Sequence, residues 1–278
     1  MNKEILLVDS TLRDGEQMAG IAFSADEKAA IAILLDKAGV HVIEAGTPVM
    51  GGEEKDAVKR IAHLGLKAAV CTWNRMILKD IKASLECGVK FLHLSAPVSE
   101  IQIRHKLGKT RKDILKSLYW AVSYARDYGC TVSVGAEDAS RSDPGFLTEF
   151  AQRAMEYGAV RLRYADTVGV MEPFSVYSAI SNLRKFVQIE IEFHGHNDFG
   201  LATANTLAAV MAGAEAVSTT VNGFGERAGN APLDEVYTGL KYVLKQPVKI
   251  KAALLPELSQ MVSRAARINI PQIRTGEL

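Results

Sequence analysis

A His-Gly-His sequence at positions 194–196 contains the residue type best suited to binding a metal ion. Alternate residues of an extended strand point to the same side, so His194 and His196 could offer two imidazoles to one cation. A neutral imidazole is the commonest metal ligand in proteins. The alternative interpretation is that the two histidines are unrelated polar residues near the end of a strand.

Polar residues elsewhere in the chain could contribute to the same site. Arg13 and Asp14 are adjacent, so one could meet an anion while the other holds a cation. The glycine-rich segment 222–230 allows tight turns and close approach to a ligand, but it lacks the Gly-Lys-Ser/Thr ending of a P-loop. Three further sets fall at or near predicted strand ends, and each alone could be ordinary loop residues: His93, Glu137-Asp138 and Asp166-Thr167.

The elements that would position these residues alternate regularly along the chain. Eight short runs, several of them continuously apolar, are predicted as strands at 5–8, 40–44, 67–71, 91–94, 131–134, 160–164, 189–193 and 216–219. A helical pattern follows each strand. The first helix has a capping box of Ser24 and Glu27 and ends at Gly39. Strict alternation predicts an α/β fold, a (β/α)8 TIM barrel, with a doubly wound open sheet as the alternative.

A closed barrel would bring the polar residues together, because its active site lies at the carboxyl ends of the strands. Two imidazoles, a carboxylate and an amide oxygen would suit Mg²⁺, Mn²⁺ or Zn²⁺. Such an ion would polarise a carbonyl group as a Lewis acid. The sequence therefore predicts one ring of reactive side chains around a single divalent metal.

Composition is that of an ordinary globular protein and gives no indication of a nucleic-acid or membrane partner. The chain has 278 residues and a net charge of +1, which favours neither nucleic acid nor an anionic membrane as partner. Its three cysteines have no metal-like spacing and are expected to be reduced thiols in a cytoplasmic protein. The N-terminus does not look like a signal peptide. We expect a catalytic barrel at 1–248 and a short C-terminal helical extension at 249–278, with one helix near 254–266.

Five segments together resemble the family of homocitrate, isopropylmalate and citramalate synthases, which includes the 3-hydroxy-3-methylglutaryl-CoA lyases. They are Thr-Leu-Arg-Asp-Gly-Glu-Gln at 11–17, Glu-Asp at 137–138, Asp-Thr-Val-Gly at 166–169, His-Gly-His-Asn-Asp-Phe-Gly at 194–200 and Gly-Glu-Arg-Ala-Gly-Asn at 225–230. Their order and their placement after strands match the family over nearly the whole chain. Segments 94–99, 103–109, 139–143 and 161–167 are most similar to homocitrate synthases of nitrogen fixation.

The resemblance implies a Claisen condensation of acetyl-CoA with a 2-oxo acid, with 2-oxoglutarate favoured. It implies that Arg13 stabilises charge developing on oxygen and that Glu137 positions or moves protons near the acetyl group. The implied metal ligands are Asp14, His194 and His196, with Asn230 as a further ligand or near neighbour. The implied contacts of the 2-oxo acid are Gln17, His93 and Thr167.

The chain departs from the family pattern at its end. Full-length synthases continue past the barrel into subdomains that reach the partner's active site and carry a catalytic histidine, whereas no histidine follows Asn230. The resemblance therefore implies a truncated synthase, a homodimer that works without that region, or a barrel subunit with little activity alone that needs a separate C-terminal-region subunit. A lyase or aldolase is a further alternative, although such lyases carry a cysteine in the loop after strand eight and segment 223–230 has none.

Overall fold

The computed structural model describes residues 4–269, and these form a closed barrel of eight parallel strands in the order β1 to β8. The predicted TIM barrel is confirmed. The strands are β1 (Leu6–Asp9), β2 (Val42–Glu44), β3 (Ala69–Arg75), β4 (Phe91–Pro97), β5 (Thr131–Glu137), β6 (Arg161–Asp166), β7 (Glu190–Gly195) and β8 (Ala216–Thr219). Pairing of β1 with β8, in which Leu6 lies opposite Ala216, closes the barrel and excludes the open sheet.

A ring of helices covers the barrel, one after each strand. They are α1 (Ala25–Ala38), α2 (Gly52–Ala62), α3 (Leu78–Glu86), α4 (Arg111–Asp127), α5 (Pro144–Glu156), α6 (Pro173–Arg184), α7 (Ala202–Met211) and α8 (Leu233–Thr238). The predicted capping box of α1 is present, because Ser24 and Glu27 exchange side-chain and backbone hydrogen bonds. Gly39 ends α1 with φ of 98°, a left-handed conformation that glycine adopts without strain.

Several strands extend further toward the mouth of the barrel than the sequence predicts. We predicted that Glu137, Asp166 and His194 follow their strands, and this is wrong because each lies within a strand. Glu137 pairs with Pro97, and His194 pairs with Ala165. The apolar pattern ends earlier than the strand because the last residues turn polar side chains toward the mouth while their backbones stay in the ladder. The candidate site residues are therefore held by strands as well as by loops.

Charged side chains occupy part of the barrel interior. Glu44, Arg163 and Glu192 are all buried there, although inward-facing residues of such barrels are mostly branched and apolar. Arg163 on β6 lies opposite Glu192 on β7 in the strand register. The prediction of continuously apolar strands missed this buried layer of charge.

The segment after the barrel carries one more helix, α9 (Leu255–Ala266), which packs against α1. Lys251 N donates to Ala38 O at the carboxyl end of α1, and Asn222 Nδ2 donates to Ser259 O near the barrel mouth. The helix thus supports the loop after β8. The division of the chain at residue 248 stays a prediction. Within residues 4–269, no helix combines the length and apolar character that crossing a membrane requires.

Candidate active site

Three potential metal ligands meet at the mouth of the barrel. Ligand atoms of Asp14, His194 and His196 all lie within 4.8 Å of one another, and the three side chains are buried. His194 Nε2 lies 3.2 Å from Asp14 Oδ2, and His196 Nε2 lies 4.0 Å from the same oxygen. The two Nε2 atoms are 3.2 Å apart. Asp14 comes from the loop after β1 and the histidines from β7 and the residue after it, so barrel closure brings them together.

Neighbouring groups orient these ligands and add one more donor. His194 Nδ1 lies 3.0 Å from Ser218 Oγ, which directs Nε2 of the same ring toward Asp14. Asn230 forms an isolated backbone bridge with His196. Its Nδ2 donates to Phe224 O, and its buried Oδ1 has no hydrogen-bond partner among the described residues. A carboxylate, two ring nitrogens and an unsatisfied amide oxygen suit a divalent cation.

The electrostatic environment of Asp14 and His196 favours the protonation states that bind metals. Burial by itself would raise the pKa of Asp14, but the charge of Arg13 and the hydrogen bond with His194 outweigh it and hold that pKa well below its usual range. Burial lowers the pKa of His196 to about 4 despite the nearby Asp14. An ionised carboxylate and a neutral imidazole are the forms that coordinate metal ions.

Arg13 is held beside the metal-ligand cluster by buried acidic groups. Its Nε donates to Glu44, and its Nη1 lies 3.5 Å from Asp14 Oδ2. Glu44 also accepts from Arg163 Nη2 at 2.7 Å, and Arg163 Nε donates to Glu192 at 2.6 Å. The result is a continuous chain of ion pairs through the barrel interior that orients the Arg13 guanidinium.

Sequence reasoning assigned no role to this chain of ion pairs, although one signal was available. Strand β6 has arginine at two alternate positions, 161 and 163, and β7 has glutamate at two alternate positions, 190 and 192. Because parallel strands of a barrel place such residues side by side, complementary alternation on consecutive strands indicates paired charges. The partnership of Glu44 with Arg13 and Arg163 left no such local signal.

Eight of the nine predicted site residues line one cavity of about 290 Å³. They are Arg13, Asp14, Gln17, His93, Glu137, Thr167, His194 and His196. The ninth, Asn230, is buried beside His196 and is not among the lining residues. The cavity is also lined by residues that sequence reasoning missed, and among these are Trp73, Ser95, Lys106, Gly135 and Arg163.

Different neighbours position two of the predicted substrate contacts, His93 and Thr167. His93 Nδ1 lies 2.9 Å from Ser133 Oγ, and a Cβ on Gly135 would approach His93 Nε2 to 2.6 Å, so only glycine leaves room for this imidazole. Burial and then Arg163 hold the pKa of His93 well below its usual value, so the ring is neutral. Thr167 Oγ1 accepts a hydrogen bond from Asp138 N at 2.8 Å and can still donate its own proton.

Glu137 faces the same cavity and is paired with a cation. Lys106 Nζ lies 2.6 Å from Glu137 Oε1, and both residues line the cavity. Lys106 ends a five-residue π-helical turn, Gln102–Lys106, between β4 and α4. The basic character of this segment was visible in the sequence, but its contact with Glu137 depends on the fold of the loop.

Comparison with known proteins agrees with the fold and identifies a family. The sequence model of the HMGL-like family matches residues 4–262. The chain is 51% identical to "2-isopropylmalate synthase 2" of Caldanaerobacter subterraneus over 97% of this chain and 70% of that protein. It is 47% identical to "Homocitrate synthase subunit alpha" of Clostridium pasteurianum over 90% of this chain and 98% of that protein.

Among solved structures, the HMG-CoA lyase of Bacillus subtilis superposes with a TM-score of 0.87 at 18% sequence identity. The superposition covers 99% of this chain and 97% of the lyase. At that level of identity the likeness establishes the shared barrel fold.

Proposed function

The chain belongs to the HMGL-like family and is an acyltransferase, and on that premise we propose that it condenses acetyl-CoA with a 2-oxo acid with the help of a divalent metal. The observation that carries the proposal is the convergence of Asp14, His194 and His196 beside Arg13 at one cavity. A site with these groups can bind the oxygens of a 2-oxo acid and place its electrophilic carbon in the cavity.

We assign Asp14, His194 and His196 as metal ligands, with Asn230 as a fourth. A divalent cation held by them would act as a Lewis acid on the keto group of the 2-oxo acid. The buried Asn230 Oδ1, which has no hydrogen-bond partner among the described residues, supports its inclusion. Mg²⁺, Mn²⁺ and Zn²⁺ all accept such a ligand set.

Arg13 is proposed to stabilise negative charge on the former ketone oxygen. Its position is preorganised, because Glu44 and Asp14 hold the guanidinium before substrate arrives. Such a group contributes to rate because it interacts more strongly with the charge that develops in the transition state than with the neutral ketone.

Glu137 is proposed to hold or transfer a proton near the acetyl methyl group. Its carboxylate faces the cavity and is paired with Lys106. Gln17, His93 and Thr167 are proposed to contact the 2-oxo acid, and the neutral His93 and the Thr167 hydroxyl can both donate hydrogen bonds to it.

We favour 2-oxoglutarate as the 2-oxo acid. The cavity lining includes further polar side chains, among them those of His93, Ser95, Lys106 and Arg163. A second carboxylate would accept hydrogen bonds from such groups, whereas an apolar side chain would accept none. We also propose that the chain works in the cytoplasm, either as a homodimer or in a complex with a separate subunit. Its three buried, unpaired cysteines are consistent with a reducing compartment.

Water then hydrolyses the thioester of the condensation product and releases CoA thiol. The test is therefore release of CoA thiol from acetyl-CoA by the purified chain across a panel of 2-oxo acids. The panel includes 2-oxoglutarate, pyruvate and 3-methyl-2-oxobutanoate, each assayed after chelation and after adding back Mg²⁺, Mn²⁺ or Zn²⁺. We expect metal-dependent release that is fastest with 2-oxoglutarate. The control is Asp14→Asn, which alters a proposed metal ligand and should release CoA thiol only at the background rate. The proposal would be rejected if no 2-oxo acid supported release of CoA thiol, even after a separate C-terminal-region subunit was supplied. Production of acetyl-CoA from 3-hydroxy-3-methylglutaryl-CoA would indicate a lyase instead.

A further inference from the structure

The loop between β4 and α4 carries an unusual concentration of positive charge beside the cavity. Segment 104–112 reads Arg-His-Lys-Leu-Gly-Lys-Thr-Arg-Lys, whereas the whole chain has a net charge of only +1. Every residue of this segment is exposed. Exposed like charges repel one another, and binding of an anionic ligand would relieve that repulsion.

The segment has a defined structure that keeps its charges on one surface. Gly108 N donates to Arg104 O, and Lys109 N donates to Ile103 O, so the chain folds back after the π-helical turn. Thr110 then caps α4 in a capping box with Asp113. The basic side chains are thus carried by hydrogen-bonded backbone on both sides of a tight turn.

Two cavities share this segment. Lys106 lines the cavity of the candidate active site, where it contacts Glu137. A surface depression of about 670 Å³ is lined by Glu100, Arg104, Lys109, Thr110, Arg111 and Lys112. The basic segment therefore runs from the reacting end of the site to an outer, exposed pocket.

One acidic residue organises the arginines of the outer pocket. Glu100 accepts from Arg104 Nε at 2.5 Å and from Arg111 Nε at 2.9 Å, and Arg111 Nη1 also lies 3.3 Å from Asp143 Oδ1. These contacts fix both guanidinium groups on the pocket wall. Lys109 and Lys112 add two further cations to the same wall, so the pocket retains an excess of positive charge.

We propose that the outer pocket binds the phosphate groups at the nucleotide end of acetyl-CoA, with Lys109 and Lys112 as their principal contacts. This inference rests on the proposed function, which requires the thioester end of the same molecule to reach Glu137. A nucleotide carrying a pyrophosphate and a sugar phosphate matches the chemistry, because arginine and lysine are the usual phosphate-binding side chains. The extended arm between nucleotide and thioester lies along the segment that joins the two cavities.

The experiment measures binding of coenzyme A and of 3′-dephospho-coenzyme A to the full chain by titration calorimetry at low ionic strength. The test variant is K109E/K112E, and the matched control is K59E/K185E, which reverses two exposed lysines at the carboxyl ends of α2 and α6. These helix ends lie at the face of the barrel opposite the mouth. None of the four residues has a place in the proposed catalytic machinery.

We expect the unaltered chain to bind coenzyme A more tightly than its dephospho form. K109E/K112E should weaken coenzyme A binding about tenfold at low salt, with a smaller loss at high salt because the charges are exposed. K59E/K185E should bind as the unaltered chain does. Equal affinity of K109E/K112E and the unaltered chain would overturn this inference alone, whereas no binding of coenzyme A to the unaltered chain would overturn it together with the proposed function.

Discussion

His194 Nε2 lies 3.2 Å from Asp14 Oδ2, although the two residues belong to the seventh and first βα units of the barrel. No helix or loop joins them directly. Their contact exists because β1 and β8 pair and complete the circle, which places the ends of β1 and β7 on either side of β8. The proposed metal centre is therefore a consequence of barrel closure.

Replacing His194 with alanine should abolish or severely weaken metal binding while leaving the barrel folded. The imidazole supplies one of three closely spaced ligand atoms, and its removal leaves Asp14 and His196 as an incomplete site. Metal content after dialysis, measured by elemental analysis, checks this prediction, and thermal unfolding checks the fold. His63→Ala, which changes an exposed histidine at the end of α2, is the control. Normal metal content in His194→Ala would contradict the ligand assignment.

Replacing Ser218 with alanine should weaken metal affinity about 10–100-fold, because groups that orient a ligand imidazole have effects of that size. Ser218 Oγ lies 3.0 Å from His194 Nδ1 and is buried behind the ring. Calorimetric titration of the metal-free protein with Mn²⁺ measures the change. Ser218→Thr, which keeps the hydroxyl group, should restore much of the affinity. An unchanged affinity in Ser218→Ala would show that packing alone orients the ring.

Replacing Gly135 with alanine should displace His93 and raise the KM for the 2-oxo acid. The added Cβ would approach His93 Nε2 to 2.6 Å and Ser95 Oγ to 3.0 Å, which no ordinary packing permits. Overpacking of this kind costs about 1–3 kcal/mol of stability. Denaturant unfolding and steady-state kinetics report the two effects. In the double variant with His93→Ala, Gly135→Ala should cost less stability than it does alone, since the contact with His93 is gone. Simple additivity of the two changes would refute the proposed contact.

The buried Asp9 should make the stability of the barrel depend on pH. Burial, opposed by hydrogen bonds from Thr11 and assisted by the charge of Glu44, raises the pKa of Asp9 from 3.8 to about 7. The folded state therefore keeps a proton that the unfolded state loses above pH 4. This contribution to stability is complete below pH 4 and is lost as the pH rises to about 7.

The variant Asp9→Asn tests this dependence, because asparagine resembles the protonated carboxyl group at every pH. Thr11 N donates to Asp9 Oδ1 at 2.9 Å, a bond that the asparagine oxygen can accept. Between pH 4 and 7 the free energy of unfolding should fall relative to that of Asp9→Asn by about 4 kcal/mol. Urea unfolding at a series of pH values measures the difference, and parallel curves for the two proteins would exclude a raised pKa.

The sequence by itself determined the alternation of strands and helices, the capping box of α1 and the choice of candidate site residues. Each of these depends on short-range patterns: the periodicity of apolar side chains, a Ser-x-x-Glu spacing, or polar residues after an apolar run. A barrel then implies that polar residues at strand ends share one mouth, so the predicted residues could be grouped before any contact was known.

Only the tertiary structure decided which of these residues touch and what supports them. The contacts of Glu44 with Arg13 and Arg163, of Lys106 with Glu137, and of His93 with Gly135 join residues from different βα units. The ends of the strands were also set by pairing with their neighbours. The physical reason is that strand stagger and barrel closure fix the relative heights of distant side chains, and local sequence patterns carry no information about those heights.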